Sequence, residues 1–198
     1  MKKLILAVIF VSISIVTLAQ ELPTPKNIPS VEKSMFGMQM GLEGIWFYHE
    51  GKLTKRLALR SEVGLQGISL SAPFEKNYSF AFAPMIALEP RFYYSLNKRS
   101  LNGKDISGNA GEFFGLRLGF MADRFPLIEE NYIQGAHTLE VMPTWGIRRN
   151  LGKRFHFEAS VAAGYRRIFA NRPRTQSYSG KKNFLTSEFN FRLGYRFK

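Results

Sequence analysis

Apolar and polar residues alternate along most of this chain. The clearest example is the C-terminal stretch "EFNFRLGYRFK", residues 188–198, where apolar side chains occupy every second position from Phe189 to Phe197. Charged residues, Asn and Gly fill the positions between them. Because successive side chains of a strand point to opposite faces, this period of two predicts strands with one apolar and one polar face. The sequence therefore predicts an all-β protein.

Seven runs of the chain share this alternation, and their length indicates what the apolar face meets. The runs are 36–50, 57–66, 79–94, 114–123, 138–148, 155–166 and 188–198. A tilted strand needs about 9–11 residues to cross a bilayer, whereas strands of soluble proteins are usually about half as long. The runs therefore favour a transmembrane antiparallel up-and-down β-barrel over a soluble β-protein. Since bacterial single-chain barrels have an even number of strands, we expect eight strands, of which the eighth is not assigned.

Charged residues of both signs lie in the middle of the polar faces. The interior of a small barrel is filled by side chains, so an Arg/Glu network there would keep each charge beside a partner and away from lipid. In a soluble sheet the same face would simply meet water. The sequence predicts a polar network in the lumen that consists of Glu43, Arg60, Glu62, Glu89, Arg91, Arg117, Glu140, Arg148, Glu158, Arg166, Glu188 and Arg192.

Aromatic residues concentrate at those ends of the runs that share one rim in an antiparallel meander. Aromatic side chains are enriched where a barrel meets the membrane–water interface, because they combine an apolar ring with a polar tip. The sequence therefore predicts an aromatic girdle at this rim, formed by Trp46, Tyr48, Phe92, Tyr94, Trp145, Phe155, Tyr195 and Phe197.

The N-terminal residues indicate export. Two lysines precede the uncharged apolar stretch 4–18, and small side chains stand before a cleavage position after Ala19. This pattern predicts a signal peptide that is removed, with a retained N-terminal anchor as the alternative. The predicted divisions of the chain are the signal peptide, 1–19, an irregular proline-containing lead, 20–35, and the barrel, 36–198.

Stretches such as "LEPRFYYSLNKRSLNGK" and "WGIRRNLGKRFHFE" look like strand–turn–strand units of a known family. With the alternation, they give residues 36–198 a resemblance to the small outer-membrane β-barrel domains of Gram-negative envelopes, the OmpA-like and OmpX-like barrels. The resemblance implies an outer-membrane location, insertion by the barrel-assembly machinery and both termini in the periplasm. The outer loops would then be 71–78, 126–137 and 170–183.

The formal charge of +13 indicates either an acidic partner or solubilising charge in loops. Nucleic acid is excluded as a partner because the chain is predicted to be exported. Outer-membrane lipid and lipopolysaccharide phosphates are the anionic surfaces that such a protein would meet. The run "NRPRTQSYSGKK", residues 171–182, contains Arg and Lys without an acidic residue, so as an outer loop it could contact these phosphates. A solvated loop is the alternative.

Candidate catalytic residues are found on one predicted strand. His156, Glu158 and Ser160 occupy alternate positions and so share a face, and hydrolases use this set of residue types. Neighbouring same-face residues on one strand seldom reproduce nucleophile–base geometry, which favours a polar network. His49 and His137 are isolated and the chain has no cysteine, so we expect neither a metal nor a cofactor.

The sequence thus predicts a structural or interaction barrel without catalytic residues. Such a barrel would support envelope integrity or contact lipopolysaccharide and other surfaces through its outer loops. The alternative is a narrow pore for small solutes, which is disfavoured because bulky Arg/Glu pairs leave little open lumen. A barrel-borne lipid-modifying enzyme is less favoured still, and the oligomeric state is not indicated.

Overall fold

A computed structural model describes residues 29–70, 79–122, 136–170 and 183–197. These residues form a closed antiparallel barrel of eight strands in which each strand pairs with the next and the last pairs with the first. The predicted all-β class and the expected eight strands are thereby confirmed. The strands are β1 Ser34–Gly41, β2 Gly44–Lys52, β3 Leu57–Leu70, β4 Ser79–Tyr93, β5 Glu112–Met121, β6 Ala136–Leu151, β7 Phe155–Ala170 and β8 Asn183–Arg196.

Several sequence predictions fall on other parts of the chain. The predicted signal peptide and most of the predicted lead lie outside the described residues. So do almost all of the three predicted outer loops. Among the described residues, no helix is long and apolar enough to cross a membrane.

The strand missing from the sequence analysis lies in the first alternating run. That run is a hairpin: Gly41 pairs with Gly44, and Leu42 and Glu43 form a two-residue turn between β1 and β2. A Cβ atom at Gly44 would collide with the carbonyl oxygen of Leu65 on β3, so the close approach of the neighbouring strand requires glycine here. The interpretation of residues 36–50 as one strand was therefore wrong.

The two faces of the strands differ sharply in chemistry. Large apolar side chains cover the outside, and their exposed fractions are typically 40–60 %, as for Phe36 at 55 % and Ile86 at 56 %. On the described strands, the outward-facing Asp, Glu, Lys and Arg residues are Glu112, Arg149 and Arg167, all near strand ends. Charged side chains point mainly inward, where most are buried. The barrel thus has an apolar outer belt and a polar interior.

The strand order places both ends of the described chain at one end of the barrel. We call this end the C-terminal rim: β1 begins there and β8 ends there, and it carries the connections β2–β3, β4–β5 and β6–β7. The opposite end, which we call the far rim, carries the β1–β2 turn and the strand ends that flank residues 71–78, 123–135 and 171–182.

A group of short segments closes the C-terminal rim, and we call it the rim cap. It consists of residues 29–33 and of residues 95–111, which include the helix α1 (Leu96–Leu101) and a 3-10 turn (Ser107–Asn109). The amide of Val31 donates to the Lys55 carbonyl oxygen at 3.0 Å. A buried apolar cluster joins the cap to the barrel, and its members are Val31, Ala58, Tyr93, Leu96 and Phe113.

Candidate functional site

The interior of the barrel holds a network of arginine and glutamate side chains that reach across it. Glu158 on β7 lies at its centre. Arg91 on β4 donates to both Glu158 carboxylate oxygens at 2.9 and 3.0 Å, and Arg148 on β6 donates at 2.8 and 3.0 Å. The Arg60 Nη1 atom lies 3.7 Å from the same carboxylate. Because these residues are all buried, every charge in this part of the network depends on its partners.

A second buried carboxylate, that of Glu62 on β3, is also surrounded by arginines. Arg60 donates to it at 2.5 Å, Arg117 at 3.0 Å and Arg192 at 3.1 Å. Charge-assisted hydrogen bonds of this kind compensate for the loss of water around both groups. Three strands, β3, β5 and β8, therefore contribute to one carboxylate site, which fills the barrel at this level.

Glu50 on β2 connects the network to the rim cap, although it was not among the predicted interior residues. Its carboxylate accepts hydrogen bonds from the Tyr93 hydroxyl at 2.7 Å, from Asn109 Nδ2 at 2.6 Å and from Arg148 Nη2 at 3.0 Å. Arg148 also donates to the Gly108 carbonyl oxygen at 3.2 Å. The cap is thus held by the same side chains that fill the lumen.

Trp46 and Tyr48 also lie inside the barrel, with exposed fractions of 0 % and 3 %. The Arg192 guanidinium carbon lies 3.9 Å from the centre of the Trp46 ring, and that of Arg60 lies 4.0 Å from the Tyr48 ring. Both contacts are in the range of cation–π interactions, which are strong when the cation is desolvated. The predicted place of these two residues in an outer aromatic girdle was wrong, because the turn before β2 reverses the faces of the strand.

The other six residues predicted for the girdle face outward near the C-terminal rim: Phe92, Tyr94, Trp145, Phe155, Tyr195 and Phe197. The Trp145 indole nitrogen donates to the Tyr94 hydroxyl at 2.9 Å. The Tyr94 ring stacks on Phe114 with a centroid distance of 5.2 Å, and Phe155 meets Tyr195 at 5.1 Å. Aromatic rings, of which those of Tyr94, Trp145 and Tyr195 carry a polar group, are thus concentrated near one rim of the outer surface.

Toward the far rim the network becomes looser. Arg166 is ion-paired with Glu140 at 2.8 Å and with Glu188, and these side chains are 12–21 % exposed. A cavity of about 210 Å³ opens here, and it is lined by Glu43, Gln66, Met85, Glu140, Arg166 and Glu188 among others. Eleven of the twelve predicted lumen residues form ion pairs in the described part of the chain. Glu43, in the β1–β2 turn, lines the cavity without an ion pair to a described residue.

Two of the three candidate catalytic residues, His156 and Glu158, contribute to this network. The ring of His156 meets the Gln39 side-chain nitrogen at 3.0 Å, and Glu158 is occupied by arginines. Within the described residues, no hydrogen bond joins His156 to Ser160, and no group of three His, Asp or Glu side chains could hold a metal ion. The arrangement therefore has the partners of a structural network and lacks a nucleophile–base pair.

One titratable group of the rim cap has a shifted pKa. Burial would raise the pKa of Asp105, but hydrogen bonds from the Ser107 amide and the Asn150 side chain lower it overall. The Ser107 amide donates at 2.9 Å and Asn150 Nδ2 at 2.6 Å. The ionised carboxylate thus fixes the 3-10 turn of the cap to the end of β6.

Comparisons with protein families, with curated proteins and with solved structures found no match for this chain. The resemblance to OmpA-like and OmpX-like barrels accordingly stays a prediction from the sequence. Function is therefore inferred from the barrel itself, from its filled interior and from its apolar belt.

Proposed function

We propose that this protein is a small outer-membrane β-barrel with a structural or interaction role and without a conducting lumen. The observation that carries the proposal is the combination of an apolar outer belt with an interior occupied by ion pairs. A soluble barrel would place its apolar side chains inside, whereas here the polarity is reversed.

The height of the apolar belt supports insertion into a bilayer. On β8 the outward residues from Leu185 to Phe197 are apolar except Ser187 and continue along the whole strand. At a rise of about 3.3 Å per residue and a tilt of about 40°, this stretch is roughly 30 Å tall. That height matches the hydrocarbon thickness of a membrane, about 30 Å. The girdle residues Tyr94 and Trp145 lie where the belt would meet the interface.

The filled interior favours a closed barrel over a pore. A conducting path would have to pass Glu158, Glu62 and the arginines around them, which are buried and contact each other across the lumen. Opening such a path would leave desolvated charges without partners, which costs several kcal/mol per ion. The rim cap also covers the C-terminal end, where Asn109 is 1 % exposed.

The proposed interactions are made outside the barrel wall. The basic run at residues 171–182 would contact lipopolysaccharide phosphates, by charge complementarity alone, if the far rim faces outward. Outer-membrane lipid would surround the belt, and the barrel-assembly machinery would insert the chain. We propose no catalytic role, because the carboxylate nearest to His156 in sequence is occupied by arginines.

Three measurements test this function. The gel mobility of protein from the outer-membrane fraction, compared with and without boiling, should change, because a folded barrel resists detergent until it is heated. Unchanged mobility of a soluble periplasmic protein would overturn the membrane assignment. In planar bilayers the protein should give no stable ohmic step, and a reproducible conductance would establish the narrow pore instead. Lipid A should have the same mass with and without the protein, and a modified lipid A would establish an enzyme.

A further inference from the structure

A pocket of about 600 Å³ lies at the C-terminal rim where β1 and β8 close the barrel, and we call it the seam pocket. Three cationic side chains, a glutamate and two phenylalanines are among the residues that line it. These residues are Lys153, Arg154, Arg196, Glu32, Phe36 and Phe197. Its size is in the range of small-ligand sites.

The cations of the seam pocket are incompletely neutralised. Arg196 is 9 % exposed and donates to the Lys153 carbonyl oxygen at 2.9 Å, while its buried Nε atom has no hydrogen-bond partner. Arg154 donates to the Tyr195 hydroxyl at 2.6 Å, a neutral group. Lys153 has no ion pair within the described part of the chain. Arg154 and Arg196 likewise have no ion pair to a described residue, so an anion in the pocket would supply a charged partner.

Glu32 is the carboxylate that lines the pocket, and it already has a partner. One of its oxygens accepts a hydrogen bond from the Gly108 amide at 3.1 Å, which holds it against the rim cap. With three cations and one carboxylate, the pocket has a net positive charge at neutral pH. It is therefore suited to an anion that brings at least one negative charge.

Two of the lining residues, both phenylalanines, also belong to the apolar belt. Phe36 and Phe197 are outward-facing and 55 % and 45 % exposed, and the Phe197 amide donates to the Phe36 carbonyl oxygen at 2.9 Å. One side of the pocket is thus cationic and faces the rim, and the other is aromatic and continues into the belt. A ligand that fits both sides has an anionic head and an apolar body.

The charge of the whole rim favours the same ligand. Outside the interior ion-pair network, the turns, cap and strand ends that the structure describes at this rim carry eleven basic residues and the three acidic residues Glu32, Asp105 and Glu112. The basic residues are Lys33, Lys52, Lys55, Arg56, Lys98, Arg99, Lys104, Arg149, Lys153, Arg154 and Arg196. Basic residues near a membrane surface attract anionic lipids electrostatically.

We propose that the seam pocket binds the phosphate of an anionic glycerophospholipid, whose acyl chains lie on the belt beside Phe36 and Phe197. Lys153, Arg154 and Arg196 contact the phosphate through their charged groups. Three cations around one pocket fit a single phosphodiester better than the two separated phosphates of lipid A. This inference rests on the proposed membrane location.

The test measures lipid binding by native mass spectrometry of the full barrel in a zwitterionic detergent, titrated with phosphatidylglycerol. The wild-type protein should retain one lipid, and the double variant Lys153→Ala, Arg154→Ala should bind it roughly tenfold more weakly or worse. Both side chains are exposed turn residues, so the barrel should fold. The matched control, Lys98→Ala with Lys104→Ala, removes two charges from the same rim outside the pocket and should change the affinity by less than about twofold.

Several outcomes would overturn the inference. An equal loss in both double variants would mean a diffuse charge effect with no pocket. Displacement of the lipid by inorganic phosphate at equal concentration, or tighter binding of lipid A, would exclude the glycerophospholipid as the occupant.

Heat-dependent gel mobility of each protein in phosphatidylcholine vesicles is recorded first. Failure of the wild type to insert would contradict the proposed function. Insertion without a retained phosphatidylglycerol would contradict the seam pocket alone.

Discussion

The two halves of the barrel interior use the same residue types with different results. In the half of the interior next to the C-terminal rim, called the C-terminal half below, Arg148 and Glu50 are fully buried. They are bonded to each other and to the rim cap. In the far half, the Arg166 side chain is 21 % exposed and its partner Glu140 is 12 % exposed, beside an open cavity. The rim cap covers the ion pairs at one end, whereas in the described part of the chain those at the other end are partly exposed.

This comparison teaches where the network contributes to stability and where it does not. A buried ion pair is costly to break because the remaining charge has no water, whereas a hydrated pair contributes little. The C-terminal half should therefore be intolerant of substitution. The far half should tolerate it and is the part in which the interior can interact with solutes or loops.

The largest effect is expected from Glu158→Ala in the C-terminal half. The substitution leaves Arg91 and Arg148 without their main carboxylate, which should lower the free energy of unfolding by about 3–5 kcal/mol. Urea unfolding in phospholipid vesicles, followed by tryptophan fluorescence, measures the change.

The matched control in the far half is Glu140→Ala. It removes a carboxylate that also holds two arginines, Arg117 and Arg166, but on a partly hydrated site. The expected loss is about 1 kcal/mol or less. Equal losses in the two variants would contradict the difference between the halves.

The next effect concerns the rim cap. Asn109 has a φ of 60°, and its side chain donates to Glu50 and accepts from the Glu32 amide. Asn109→Ala removes both hydrogen bonds and adds strain in a left-handed conformation, so about 2–4 kcal/mol should be lost. Asn109→Gly removes the hydrogen bonds without the strain and should be about 1 kcal/mol less harmful. If both variants unfold like the wild type, the cap does not seal this half.

A smaller, spectroscopic difference separates the inside from the outside of the wall. The chain has two tryptophans: Trp46 is buried in the lumen and Trp145 is 40 % exposed on the outer surface. In vesicles with brominated acyl chains, the Trp46→Phe variant, which keeps Trp145, should be strongly quenched. The Trp145→Phe variant, which keeps Trp46, should change little. Strong quenching of Trp46 would show that this side chain faces lipid and would contradict the β1–β2 hairpin register.

The smallest effect is a pH dependence at the cap. The pKa of Asp105 is lowered in the folded protein, so its contribution to stability is present above the unfolded pKa and is lost as the pH falls through the folded pKa. Asn150→Ala removes one hydrogen bond to this carboxylate, so its pKa should rise and the contribution should be lost at a higher pH. Unfolding midpoints measured between pH 5 and pH 2 compare the two proteins. Superimposed profiles would show that Asn150 does not stabilise the charge.

The sequence predicted the strands of this fold because alternate side chains of a strand point to the interior and to the outer surface of the barrel, which gives a period of two. It failed in the first run because a two-residue turn at Leu42 and Glu43 leaves the run apparently unbroken. The signal was present: Ile45 and Phe47 broke the alternation, and a hairpin explains both. Placing Trp46 outside and omitting Glu50 are consequences of the same missed turn.

The rim cap could not be predicted in the same way. Val31, Leu96 and Asn109 meet there from segments without periodicity, and their contact depends on how the barrel brings distant strands together. Interior ion pairs such as Arg91 with Glu158 could be predicted only in part. Their faces follow from alternation, but their pairing depends on strand tilt and register, which a single sequence does not specify.

The pairing of the first strand with the last has a consequence for how the molecule forms. The β1–β8 ladder runs from Gly37 opposite Arg196 to Gly41 opposite Arg192, and it is shorter than the β3–β4 ladder from Leu57 to Leu70. The two strands of this ladder, β1 and β8, are far apart in the sequence, so the loss of chain entropy on joining them is large. This contact should therefore form last. The wall thus has a seam, and β8 must be synthesised before the cylinder can exist.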